Sequence, residues 1–182
     1  MSAPPDLDHQ LTPHPSSRPG PVREISVSAR RHGDYLLLRY RLVGDLDGLL
    51  LPAPRKPART DELWRHTCLE AFVGQVDSTE YCEYNFSPSG AWAAYHFTGH
   101  RAGMRPHGLG AAPAFSTRVD PGALLLDAKV DLGGSTLSGG RMLRLGVTAV
   151  VEDLAGVLSY WALKHPAEQP DFHHADSFVI VL

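Results

Sequence analysis

Glycine and proline interrupt this chain at short intervals, and between the interruptions its apolar residues alternate instead of recurring every third or fourth position. Few segments carry a sustained helical stripe. Alternation sends successive side chains to opposite faces of an extended backbone, which is the pattern of a strand with one face on a core. REISVSARR (23–31) and DYLLLRYRLVG (34–44) are joined across His32-Gly33-Asp34, a hairpin signal. RHTCLEAFVG (65–74) and EYCEYNFS (80–87) read as a second hairpin, and SPSG (87–90) as a tight turn into AWAAYHF (91–97). AFSTRVD (114–120), ALLLDAKVDL (123–132), RMLRLGVTAVVED (141–153), GVLSYWAL (156–163) and DSFVIVL (176–182) complete the expected strands. ALLLDAKV has helix-forming residues, but the alternation in LLLDAKVDL favours a strand. Many short strands and few helices predict an all-β, antiparallel β-sandwich.

The remaining composition sets outer bounds. A length of 182 residues suits one domain with a full core. The first 22 residues are rich in proline and serine and read as a disordered tail, which leaves 23–182 as the folded domain. That tail has neither an early basic cluster nor an apolar core, so the expected location is cytoplasmic. Two cysteines, Cys68 and Cys82, suit a reducing compartment. A net charge of -3 offers no basic footprint for nucleic acid, and no apolar run reaches membrane-spanning length. Exposed strand edges allow sheet-edge dimers, and the oligomeric state is otherwise open.

No catalytic or metal motif emerges. HPAEQPDFHHADSF (165–178) is dense in histidine and acid, but His173 and His174 are adjacent and diverge on extended backbone. Neither HExxH nor paired-cysteine spacing occurs, so no metal is expected. SPSG is not a nucleophile elbow. The paired glycines 133–134 and 139–140 have no following helix and read as hairpin glycines, not a phosphate loop.

The stronger signal is DELWRHTCLEAF (61–72). A strand running from Arg65 places Leu69, Ala71 and Val73 on one face and His66, Cys68, Glu70 and Phe72 on the other. Trp64 enters the second face from its leading edge. An aromatic plate followed by a carboxylate offers stacking plus an acceptor for hydroxyls, which suits a polyhydroxylated ligand. The competing reading is a packed tryptophan and a glutamate paired with an arginine. EYNFSPSG extends the polar face through Glu83, Asn85 and Ser87, with Tyr84 and Phe86 behind it. Such a face is either solvent-exposed or a ligand platform.

LWRHTCLEAFVG (63–74), EYCEYNFSPSGAWAAYHF (80–97) and LSYWALKHPAEQPDFHHADSFVIVL (158–182) together resemble the bacterial DOMON-like proteins, which are similar in turn to the family-nine carbohydrate-binding modules. The resemblance spans 23–182. It implies a β-sandwich that binds sugar or haem and has no catalysis of its own. In the carbohydrate modules a tryptophan followed six residues later by a glutamate helps hold the sugar, and Trp64 and Glu70 match that spacing. A second aromatic from near the C-terminus completes the clamp there, for which this chain offers Phe172 or Trp161. His165, Asp171 and His173 would line the pocket mouth. Arg65, His66, Asn85 and Ser87 are further candidates for contacts with a sugar, although Arg65 faces away on a regular strand. The haem-binding members imply an alternative with His/Met ligation, for which Met104, close to His100 and His107, and Met142 are available. Otherwise no cofactor is expected, and the expected partner is a small molecule, a sugar above all.

Overall fold

Strand formation is clearest in Tyr35–Gly44, where Leu36, Leu38, Tyr40 and Leu42 are buried and the residues between them face outward. The computed structural model describes residues 9–182. Its strands are β1 (His9–Pro13), β2 (Val22–His32), β3 (Tyr35–Gly44), β4 (Ala58–Arg59), β5 (Cys68–Gln75), β6 (Tyr81–Phe86) and β7 (Ala91–Phe97). They continue as β8 (Arg105–Pro106), β9 (Ala114–Asp120), β10 (Ala123–Asp131), β11 (Leu143–Glu152), β12 (Leu158–Ala162) and β13 (Ile180–Val181). The fold is the expected β-sandwich. One sheet runs β1-β2-β3-β10-β9 and the other β4-β7-β6-β5-β11-β12-β1. Pairing is antiparallel except between the short β4 and β7.

β1 joins the two sheets. His9–Leu11 pair with Ile25–Val27 of β2, and Thr12 and Pro13 pair with Ala162 and Trp161 of β12. A strand that changes sheets makes a corner of a sandwich. This corrects the expected tail through residue 22: from His9 onward the chain is built into both sheets, and Leu11 is fully buried in the core. The proline-rich composition concealed a strand only five residues long. Residues 1–8 of the expected tail lie outside the described residues.

The main core lies between the sheets. It takes Ile25, Val27, Leu38, Tyr40, Leu42, Leu124 and Leu126 from one side and Leu69, Ala71, Val73, Tyr84, Leu145 and Val147 from the other. The Tyr40 hydroxyl crosses it and donates to the Glu70 carbonyl at 2.6 Å. A second cluster covers the opposite face of β5, β6, β7 and β11. It contains Leu63, Cys68, Phe72, Tyr81, Tyr95, Phe97, Phe172 and Phe178.

The second cluster depends on a detour of the C-terminal segment. β12 and β13 pair with different stretches of the same edge of β11. Between Ala162 and Ile180 the chain leaves that edge and folds over the sheet. Gly146 permits the close approach, because a Cβ there would stand 3.1 Å from the Phe178 ring and 3.2 Å from the Ser177 carbonyl. The expected strand 176–182 is therefore shortened to Ile180–Val181, since Ser177 and Phe178 turn inward.

The corner strand yields a direct test. Leu11→Ala removes buried methyl groups where the sheets meet and is expected to lower the unfolding free energy by about 2–5 kcal/mol, measured by urea denaturation.

Candidate functional site

Three neighbouring strands build a polar floor within the second cluster. Thr148 on β11 lies opposite Glu70 on β5, and Glu70 lies opposite Asn85 on β6. Glu83 shares the face of Asn85 two residues earlier. All four side chains are buried, Glu70 with 2% and Glu83 with 4% of its surface exposed. The Thr148 hydroxyl donates to Glu70 Oε2 at 3.2 Å, and the Asn85 amide donates to Glu83 Oε1 at 2.7 Å. Glu70 Oε1 is buried without a hydrogen-bond partner. A buried acceptor left unmade costs about 1–3 kcal/mol, so this oxygen is a place where a ligand has something to supply.

Above the floor opens a cleft of about 310 Å³, at the lower end of the size of small-molecule sites. Trp64 stands at one side, on the 3-10 turn Leu63–Arg65, edge-on to Tyr95 with ring centroids 5.7 Å apart. Phe172 and Tyr160 stand elsewhere in the lining, their centroids 6.1 Å apart, together with Phe97, Val150 and His173. Arg101, Met104 and Pro170 complete it. Among the described non-glycine residues, Glu62 and Arg101 hold left-handed backbones, with φ of 61° and 52°. Both lie in loops that flank the cleft. Such conformations are disfavoured for side chains larger than glycine and persist where surrounding contacts impose them.

Charge is distributed unevenly here. At the rim, Arg101 Nη2 lies 3.0 Å from Asp171 Oδ1 and His100 Nε2 lies 2.7 Å from Asp171 Oδ2. Burial alone would raise the Asp171 carboxyl, but hydrogen bonds from His100 and Arg101 carry it below its ordinary range. His173 is pushed down to about 4 by burial, reinforced by the Arg101 cation, and is neutral at pH 7. The Arg101 backbone N–H donates to the Tyr81 hydroxyl, and that hydroxyl lies 2.8 Å from His173 Nδ1. Nδ1 then accepts from Tyr81 and Nε2–H faces Glu83 Oε2 at 3.8 Å. On the floor, burial raises Glu83 to about 7. Glu70 is raised well above the usual carboxylate range, first by burial and then by the Glu83 charge.

The structure brings Trp64, Glu70, Phe172 and His173 to one cleft, with Asn85 beneath it and Asp171 holding Arg101 at its rim. Arg65, His66, Ser87 and His165 lie elsewhere. β5 starts at Cys68, not at Arg65, so the alternation does not extend back through the turn. Arg65 is exposed and pairs with Glu62 at 2.9 Å. His66 Nδ1 lies 2.7 Å from Oε2 of Glu152, a buried carboxylate outside the cleft. Ser87 is buried against Ser89 in the turn, and the two share a separate depression with Arg65 and His66. His165 is edge-on to His14 and bonds the Thr12 carbonyl at 2.8 Å, on the β1 side of the molecule. Trp161 points into the main core, so Phe172 and not Trp161 is the C-terminal aromatic at the cleft. Met104 reaches the cleft, whereas Met142 is exposed outside it.

Sequence reasoning passed over Tyr160, Phe97 and Arg101 as site residues. Tyr160 had a signal, since alternation separates it from the core-facing Trp161. Arg101 sits in an irregular glycine-rich loop whose path no periodicity encodes. Among the described residues no group of three His, Cys, Asp or Glu is arranged to hold a metal ion. Cys68 and Cys82 are free and buried. No helix among the described residues is long and apolar enough to cross a membrane.

No protein-family model and no curated protein sequence matches the chain. Among solved structures, the fold is similar to that of a candidate carbohydrate-binding protein from Bacteroides uniformis ATCC 8492. That likeness has 13% identity and a TM-score of 0.66 over 85% of this chain and 76% of the other. A family-nine carbohydrate-binding module from Caldicellulosiruptor kristjanssonii in complex with cellotriose overlaps more loosely. It has 8% identity and a TM-score of 0.46 over 77% of this chain and 65% of the other. At such identity the first likeness establishes a shared fold and nothing finer.

The floor carboxyls predict a pH effect on stability. A carboxyl raised on folding contributes stability that is present below its ordinary value and lost as pH rises through the raised one. His173, lowered on folding, acts in the opposite sense and only below its ordinary 6.5. With two raised carboxyls against one lowered imidazole, the melting temperature is therefore expected to fall as pH rises from about 4.5 through about 7. Glu83→Gln keeps an acceptor for Asn85 and removes the charge, so scanning calorimetry should find a smaller fall and a higher melting temperature at the alkaline end.

Proposed function

We propose that the protein is a non-catalytic module, of the DOMON-like kind, that binds a carbohydrate or a sugar-containing metabolite in this cleft. The observation that carries the reading is a buried carboxylate oxygen without a partner, Glu70 Oε1, on the floor of a cleft lined by Trp64, Tyr160 and Phe172. Sugar rings present apolar C–H faces between hydroxyl edges. Trp64 would stack on such a face, while Glu70 and Glu83 accept from hydroxyls and Arg101 donates to a ring or hydroxyl oxygen. The fold shared with a candidate carbohydrate-binding protein supports the same reading. The free thiols support action in a reducing, cytoplasmic setting.

Haem ligation is the alternative. Met104 and His173 share the cleft, and a Soret band on titration with haem that is lost in His173→Ala would establish it.

Calorimetric titration with a panel of mono- and disaccharides tests the proposal. At least one sugar is expected to bind, and Trp64→Ala should weaken it about tenfold or more while the protein stays folded. Arg65→Ala and His165→Ala, both outside the cleft, should leave the affinity unchanged. Binding that is insensitive to Trp64→Ala and Glu70→Gln would place the sugar elsewhere and overturn the assignment of this cleft.

A further inference from the structure

A neutral sugar would leave the two floor carboxyls, Glu70 and Glu83, without a charged partner in contact. Every charged group facing the floor can be placed. Arg101 is held by Asp171 at the rim, through Nε at 3.1 Å and Nη2 at 3.0 Å, and its charge reaches Glu70 and Glu83 only at longer range, without a hydrogen bond to either. His100 bonds the other Asp171 oxygen. His173 faces Glu83 from 3.8 Å, beyond hydrogen-bond distance, and its Nδ1 is occupied by Tyr81. From β11 the floor receives only the Thr148 hydroxyl, and from β5 and β6 the Cys68 thiol and the Asn85 amide. Glu62 and Arg65 pair with each other beside Trp64.

Glu70 and Glu83 are thus left as two buried carboxyls without a cation in hydrogen-bond contact. They are diagonal neighbours across the β5–β6 pair, a relation that sets Cβ atoms about 7 Å apart. One small cationic donor can reach both. The aromatic rings of Trp64, Tyr160, Phe97 and Phe172 line the space above them, and aromatic walls favour an ammonium group. A metal ion would need a third protein ligand, which the described residues do not arrange.

We propose that the cleft selects a ligand carrying a protonated amine, so that an amino sugar binds in preference to its neutral parent, the ammonium donating to Glu70 Oε1 and to Glu83. The amino sugar rests on the carbohydrate reading above; the demand for a cation rests on the floor alone. The ammonium then balances one ionised carboxylate while the other carboxyl shares the proton-donor contact, and binding releases a proton from the floor.

Calorimetry on the full chain, in two buffers of different ionisation enthalpy, tests this with four probes: glucose, glucosamine, N-acetylglucosamine and cyclohexylamine. Glucosamine is expected to bind about tenfold or more tightly than glucose, the size of one charge-assisted hydrogen bond. N-acetylglucosamine, which keeps the nitrogen and loses the charge, should show no such gain. Proton release should accompany glucosamine and not glucose. Glu70→Gln and Glu83→Gln, each checked by its melting curve, should each narrow the preference. Equal affinity for glucose and glucosamine, or a preference untouched by both variants, overturns the inference and leaves the carbohydrate reading standing. Cyclohexylamine binding without any sugar would uphold the cation demand and overturn the carbohydrate reading. No binding by any of the four overturns the demand for a cation, and no binding across the wider panel of mono- and disaccharides as well overturns both.

Discussion

Glu70 ties the two sides of the molecule together. Its carbonyl accepts the Tyr40 hydroxyl across the main core, and its carboxyl lies buried on the opposite face of the same strand. Taking a carboxyl out of water is unfavourable unless it is paired, and here one oxygen is left open. The surrounding sheet must supply the stability that this arrangement withdraws. It does so by burying both faces of β5 and β6, one in each hydrophobic cluster.

The second cluster also shapes the cleft. Had the C-terminal segment continued along the edge of β11, Glu70, Glu83 and Asn85 would face water on an open sheet. The detour between β12 and β13 instead lays Phe172, His173 and Phe178 over the sheet, and the carboxyls become floor instead of surface. Burial then moves them toward neutrality and leaves an oxygen in want of a donor. The floor carboxyls thus cost the fold stability while one of them keeps hydrogen-bonding capacity open toward the cleft.

The loop holding Arg101 contributes in a different way. Its left-handed backbone lets the N–H reach the Tyr81 hydroxyl while the side chain engages Asp171. Tyr81 in turn fixes His173. Three segments distant in sequence are so joined by hydrogen bonds at the cleft wall, which gives the site a preformed shape.

Alternation by itself determined the strands, the sandwich class, and the division of 68–73 into a core-facing set and a set carrying Glu70. Side-chain period is a local property of extended backbone, so it can be read without knowing the neighbours. The same locality set its limit. It could not foresee that the strand begins three residues after Arg65, which removes Arg65 and His66 from the cleft. Nor could it foresee that a short segment at His9 closes the corner, or that His165 belongs to that corner. Whether the polar face met water or became the floor of a cleft was decided by where the C-terminal segment lies and by the path of the Arg101 loop. Those depend on contacts between residues far apart in the chain, among them the fit of Phe178 against Gly146, and no local pattern encodes them.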